Sequence, residues 1–172
     1  RDEVNKLAYL IGACHDFGKA TEYFHNKLLC GIKHPCSHHS LISSLFGYIT
    51  VNNILKNNNL AVIAYTIIRK HHGNLVSPLK KIDLASDLKR QIKNLAEAER
   101  YIELKKIYKK LFSYCNNFDF EQIFSELKNL IDNDIDDFID YNIEDDFYDL
   151  TDQHGIERFL LTNLLYSILI DT

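Results

Sequence analysis

The sequence predicts an all-α single domain, and three observations lead there. Apolar residues recur three and four positions apart along most of the chain, the spacing of one helix face. No run alternates apolar and polar residues as a half-buried strand does. The 172 residues include only two prolines and six glycines, so few positions interrupt a helix. At 46% hydrophobic and 26% charged, the chain can both fill a core and cover it, which argues against a disordered or fibrous protein. Its length suits one compact domain rather than two.

Taken in order, the first helix sets Leu7, Ile11 and His15 four residues apart, so its buried stripe aims His15 inward; Gly18 is the expected stop. A second helix is expected from residue 21 to about 29. Residues 30–37, with Gly31 and Pro35, read as a loop. Ser37 is expected to cap a third helix that runs to about residue 56 and carries His39 near its start. After a turn at 57–59, an apolar helix leads to the corner His71-His72-Gly73. The stretch 79–112 is long, amphipathic and charged, fitting one bent helix or two. A further helix is expected from residue 118 to about 138. An acidic connector follows, then an apolar segment, 159–170, expected to be buried. No internal repeat is present.

Charge and cysteine content narrow the setting. A formal net charge of −4 does not mark a nucleic-acid binder, yet it leaves a nuclease open, because metal ions supply local positive charge. The charge is uneven, basic between Lys80 and Lys110 and acidic from Asp119 to Asp152. The basic stretch reads either as a path for a phosphate backbone or as a solvated helix face paired with Asp87, Glu97, Glu99 and Glu103; the second reading is favoured. Four cysteines and no signal-peptide pattern lead us to expect a reducing cytoplasm. The apolar runs 60–68 and 159–170 are too short and too polar to span a bilayer, so no membrane association is expected. Cys30, His34, Cys36 and His38 lie too irregularly for an ordinary zinc motif, and Cys14 reads as a small core residue. His25 and His154 stand in no motif and are expected at the surface. The chain opens on Arg1 rather than Met, so an upstream segment is expected to be missing.

Three short motifs carry chemistry. In His15-Asp16-Phe17-Gly18-Lys19, an imidazole and a carboxylate sit side by side at a helix end; the carboxylate's two oxygens can bridge two ions while the imidazole holds one. A His-Asp pair alone fits an ordinary helix terminus better; the Gly and Lys at these offsets favour the functional reading. His71-His72-Gly73 closes an apolar helix with two imidazoles that need partners if buried, although the pair alone also suits a surface turn. His38-His39-Ser40 is followed by Ser43 and Ser44, small residues that let another segment approach closely. Each motif is weak alone. Together and in this order they are specific.

The series HDFGK, then HS with small residues behind it, then HHG resembles the HD nuclease domain of type I CRISPR interference systems, a branch of the HD-superfamily metal-dependent phosphohydrolases. The resemblance runs from about Leu7 to Asp171, including the closing LLYSILID, and it implies an HD-domain helical bundle covering residues 1–172. It implies two divalent ions, drawn from Mg, Mn, Fe, Co or Ni, with mixed imidazole and carboxylate ligands favouring the last four over Mg. His15 and Asp16 become first-site ligands, with Asp16 shared, and His39, His71 and His72 complete the second site. The resemblance further implies that Asp16 is the catalytic carboxylate, Lys19 a catalytic cation near the phosphate, and Asp171 a closing metal ligand. The implied substrate is single-stranded DNA, with RNA a second candidate; the implied partners are a CRISPR helicase subunit and its effector complex. Two departures stand out. The family has a histidine upstream of the HD pair and none precedes His15; the family's closing acidic pair leaves a residue beyond Thr172 as a rival to Asp171. No GxxxxGK[ST] loop is present, so a separate nuclease subunit or isolated domain is expected. An HD nucleotidase or cyclic-nucleotide phosphodiesterase, and a non-catalytic HD docking module, are the alternatives.

Overall fold

The computed structural model describes residues 2–71 and 81–135 together with Phe138, Leu161, Leu164 and Leu165. Among the described residues the protein is all helical, as expected. The first helix, α1 (Asp2–Cys14), buries Leu7, Leu10, Ile11 and Cys14 on one stripe. A single 3-10 turn, Phe17–Ala20, leads into α2 (Glu22–Cys30), whose first turn is capped by Thr21 accepting from the Phe24 amide. Gly31 ends α2 at φ 68°, a left-handed position that glycine adopts without a Cβ penalty. The central helix α3 (Ser40–Leu55) is buried on nearly every side and packs chiefly against α4 (Asn58–Lys70). Close packing there depends on Gly47: a Cβ at that position would come within 2.4 Å of Ile68 Cδ1. Two helices, α5 (Lys81–Leu95) and α6 (Ala98–Leu111), occupy the long charged stretch. Then α7 (Phe120–Asn129), capped by Asp119, lays Phe120, Ile123, Phe124 and Leu127 on the core and continues into a π-helical turn, Leu130–Asp134.

Two expectations are corrected. The first helix stops at Cys14 rather than Gly18, and Gly18 lies within the 3-10 turn. Ser37 does not cap α3; it sits in a separate 3-10 turn, Pro35–Ser37, and its hydroxyl donates to His34 O at 2.6 Å. The start of α3 is displaced because Gln91 of α5 donates to both Cys36 O (2.7 Å) and His38 O (2.8 Å), holding that segment away from helical geometry. The break between α5 and α6 has no glycine or proline. Buried Asn94 makes it, accepting from the Glu22 amide at 2.8 Å and donating to Glu97, while Arg100 donates back to Asn94 O at 3.0 Å. The basic face is solvent-exposed along much of its length, with ion pairs Arg100–Glu97 and Lys105–Glu121. Of the expected closing segment, Leu165 is buried, Leu161 partly buried against the core and Leu164 exposed; the rest lies outside the described residues, as does His154. His25 is exposed and Cys14 is core, as expected.

An aromatic stack joins the HDFGK turn to this core. Phe17 is fully buried and lies flat on Phe46 of α3, centroids 3.9 Å apart; Tyr108 packs edge-on against Phe46 and stacks on Phe120. Burying a phenylalanine contributes about 1.5–3 kcal/mol. Here the contribution also fixes the turn that carries His15, Asp16 and Lys19.

Candidate metal centre

Four elements deliver four side chains to one carboxylate. His15 follows the last residue of α1, its amide still bonded to Ile11 O at 3.0 Å. Asp16 immediately precedes the 3-10 turn, which returns Lys19 beside it. His39 stands at the N-terminal cap of α3 and His71 at the C-terminal cap of α4. The two Asp16 oxygens face different neighbours. Oδ2 lies 3.3 Å from His15 Nε2 and 2.8 Å from Lys19 Nζ, whereas Oδ1 lies 3.7 Å from His39 Nε2 and 4.0 Å from His71 Nε2. His39 and His71 form the buried floor, with side chains 9% and 6% exposed, and Asp16 at 40% forms the open rim.

The imidazole tautomers follow from the helix ends. The Nδ1 atoms of His15 and His71 reach the carbonyls of Gly12 and Ile68, three residues back, where terminal helix carbonyls lack intrahelical partners. A carbonyl only accepts, so each Nδ1 donates, and in the neutral ring the lone pair falls on Nε2, facing Asp16. This is the outer hydrogen bond that metal-binding histidines ordinarily make.

The residue set fits a divalent cation. Asp16 Oδ1 is buried and accepts no hydrogen bond among the described residues. Ligand atoms at about 2.0–2.2 Å from an ion lie about 3–4 Å from one another, the range of the separations here. His15, Asp16 and His71 each offer an atom within 4.8 Å of the others, and His39 approaches the Oδ1 side. His15 stands on one Asp16 oxygen and His39 and His71 on the other, and His15, Asp16 and His71 together are the group that could hold one ion. Lys19 holds the Oδ2 side with its ammonium, so a cation there requires Nζ to swing away. Burial, the largest influence, pushes the Asp16 carboxyl up; the Lys19 hydrogen bond and the charges of His15, Lys19 and His39 outweigh it and hold the group below the ordinary carboxylate range.

Of the sequence-predicted residues, His15, Asp16, Lys19, His39 and His71 converge, while His72 and Asp171 lie outside the described residues. Cys30, His34, Cys36 and His38 form no metal-binding group. Cys30 and His38 are exposed, the Cys36 thiol donates to Asp87, and His34 Nδ1 accepts from the Cys36 amide. Sequence reasoning missed the parts that hold the site together. Gly18 N donates to Ser43 Oγ at 2.9 Å, and a Cβ on Gly18 would meet His39 O at 2.8 Å and His39 Cβ at 2.9 Å. Gly18 is therefore a close-approach residue rather than a helix stop. Gln91 could have been found: it falls on the buried row of Leu88, Ile92 and Leu95, where a polar side chain needs a partner.

Compared with known proteins, the chain matches no family model, no curated protein and no solved structure.

Proposed function

We propose that this chain is an HD-type metal-dependent phosphodiesterase, a nuclease cutting single-stranded DNA in CRISPR interference, with RNA as a second substrate. The observation that carries the reading is the convergence of HDFGK, the His39 segment and the His71 corner on the Asp16 carboxylate. Divalent ions, when bound, generate hydroxide at neutral pH and neutralise charge on a phosphoryl group. The protein's own part is to hold three imidazoles and a carboxylate in place before substrate arrives. His15, Asp16, His39 and His71 would hold the ions, and Asp16 is kept ionised by its neighbours. Lys19, at the rim and 35% exposed, is placed to leave Oδ2 and donate to a non-bridging phosphate oxygen, where a preorganised charge is most effective. The reaction breaks one P–O ester bond; water adds to phosphorus and a proton goes to the leaving oxygen.

The test is degradation of circular and linear single-stranded DNA by EDTA-stripped protein with Mg, Mn, Co or Ni restored singly, beside a panel of free nucleotides. Metal-dependent cutting of the circle is expected, reduced on the order of a hundredfold by His71→Ala with the helical spectrum intact. Full activity in His71→Ala contradicts the assignment. Hydrolysis of nucleotides alone moves the protein to the nucleotidase branch, and silence on both substrates favours the docking module.

A further inference from the structure

A groove of about 820 Å³ is bounded by the end of α2, the 33–41 segment, the end of α4 and the face of α5, with His38 and Ser40, the neighbours of His39, in its wall. Its walls carry four cations, Lys27, Lys33, Arg69 and Arg90, against one carboxylate, Asp87. In a chain whose net charge is −4, that local excess is notable. The Ser40 hydroxyl adds a polar group, and Leu41 and Leu88 supply apolar wall. Ser40 and Arg69 link groove to centre: Arg69 Nη1 donates to Ser40 Oγ at 3.0 Å, and these residues sit within two positions of His39 and His71. Lys27 and Lys33 are exposed and form no ion pair among the described residues.

We infer that this groove is the binding site for the phosphate backbone of a single-stranded nucleic acid, leading the strand to Asp16. The inference rests on the phosphodiesterase reading, because contiguity with that centre selects a polynucleotide over another polyanion. The cations are spread over four elements rather than clustered around one point. That distribution suits successive phosphates of a strand better than one terminal phosphate. Apolar wall between them offers surface for base faces, a sequence-tolerant mode of binding. The basic face of α6, by contrast, lies outside the groove and is part of the solvated surface.

Binding can be read without turnover, so its failure is separable from failure of the enzymatic reading. Fluorescence anisotropy of a labelled oligothymidylate would be followed in EDTA across a range of salt. Three proteins would be compared: wild type, Lys27→Glu/Lys33→Glu, and the control Lys106→Glu/Lys109→Glu on α6, which changes net charge equally. Wild type and control are expected to bind alike. The groove variant should lose at least about tenfold in affinity, and its log–log salt slope should fall by about 1.4, as for two phosphate contacts on a single strand. A Lys27→Gln/Lys33→Gln variant should show a smaller loss in the same direction. Equal loss in both Glu variants, no loss in the groove variant, or no binding by wild type overturns the groove assignment. Displacement by polyglutamate at equal charge concentration overturns the nucleic-acid assignment in favour of an acidic protein partner. Metal-dependent cleavage, measured separately, decides the enzymatic reading in each case.

Discussion

At the scale of single residues, HDFGK divides its labour among side chain, backbone and core. Phe17 anchors, Asp16 and His15 present ligand atoms, Lys19 balances charge, and Gly18 lets the turn touch the first turn of α3. The last role makes a sharp prediction. In Gly18→Ala the new methyl meets the backbone of His39, which no rotamer change relieves, so overpacking should cost about 1–3 kcal/mol. For a domain of this size each kcal/mol lowers Tm by about 2–4 °C. Metal affinity should fall with it, because the displaced segment carries His39. A calorimetric scan in EDTA, paired with Mn titration, would check both; an unchanged Tm and affinity would show that the turn tolerates the methyl. The three histidines were legible because the sequence places each at a helix end, where segments from different helices are brought together. Gly18 was legible as a residue but not in its role, since close approach of two backbones leaves no trace in local sequence.

The helices themselves were legible to within a few residues, because amphipathic periodicity is local. Their junctions were not. The start of α3 and the break before α6 are set by Gln91 and Asn94, buried polar side chains whose partners lie 53–55 and 72 residues away in the chain. Capping rules assign Ser37 to α3 because they weigh only neighbours. The same junction makes a prediction about thiols. Cys36 is buried against Asp87; burial first, and then the carboxylate, push its thiol up to about 11 from 9.0, with Arg90 opposing. The folded form therefore keeps its proton between pH 9 and 11 while the unfolded chain ionises. The stability contributed is complete below pH 9 and lost as pH rises towards 11. Alkylation of the native protein with iodoacetamide at pH 8 should modify exposed Cys30 within minutes and spare Cys36 until denaturant is added. Equal rates at the two positions would mean that the 33–41 segment opens readily.

Across the whole molecule, one buried aromatic and aliphatic core holds the ends of α1, α3 and α4 around Asp16. No described helix is long and apolar enough to cross a membrane. Three imidazoles and an ammonium surround one carboxylate, and on the proposed reading a divalent ion would take the imidazoles while displacing the ammonium. Ligand linkage then makes stability metal-dependent: at a hundred times Kd, one bound ion adds about 2.7 kcal/mol. A Tm that rises several degrees with Mn and returns with EDTA is the expected outcome, and an insensitive Tm would argue for the docking module. The most direct test of the central claim, that Asp16 is the hub of a metal centre, is Mn binding followed by electron paramagnetic resonance in wild type and Asp16→Asn. Saturable binding by wild type and a loss of at least about tenfold in the variant are expected, since the amide keeps the shape but not the charge. Equal binding by the two proteins, or none by wild type, would contradict that claim.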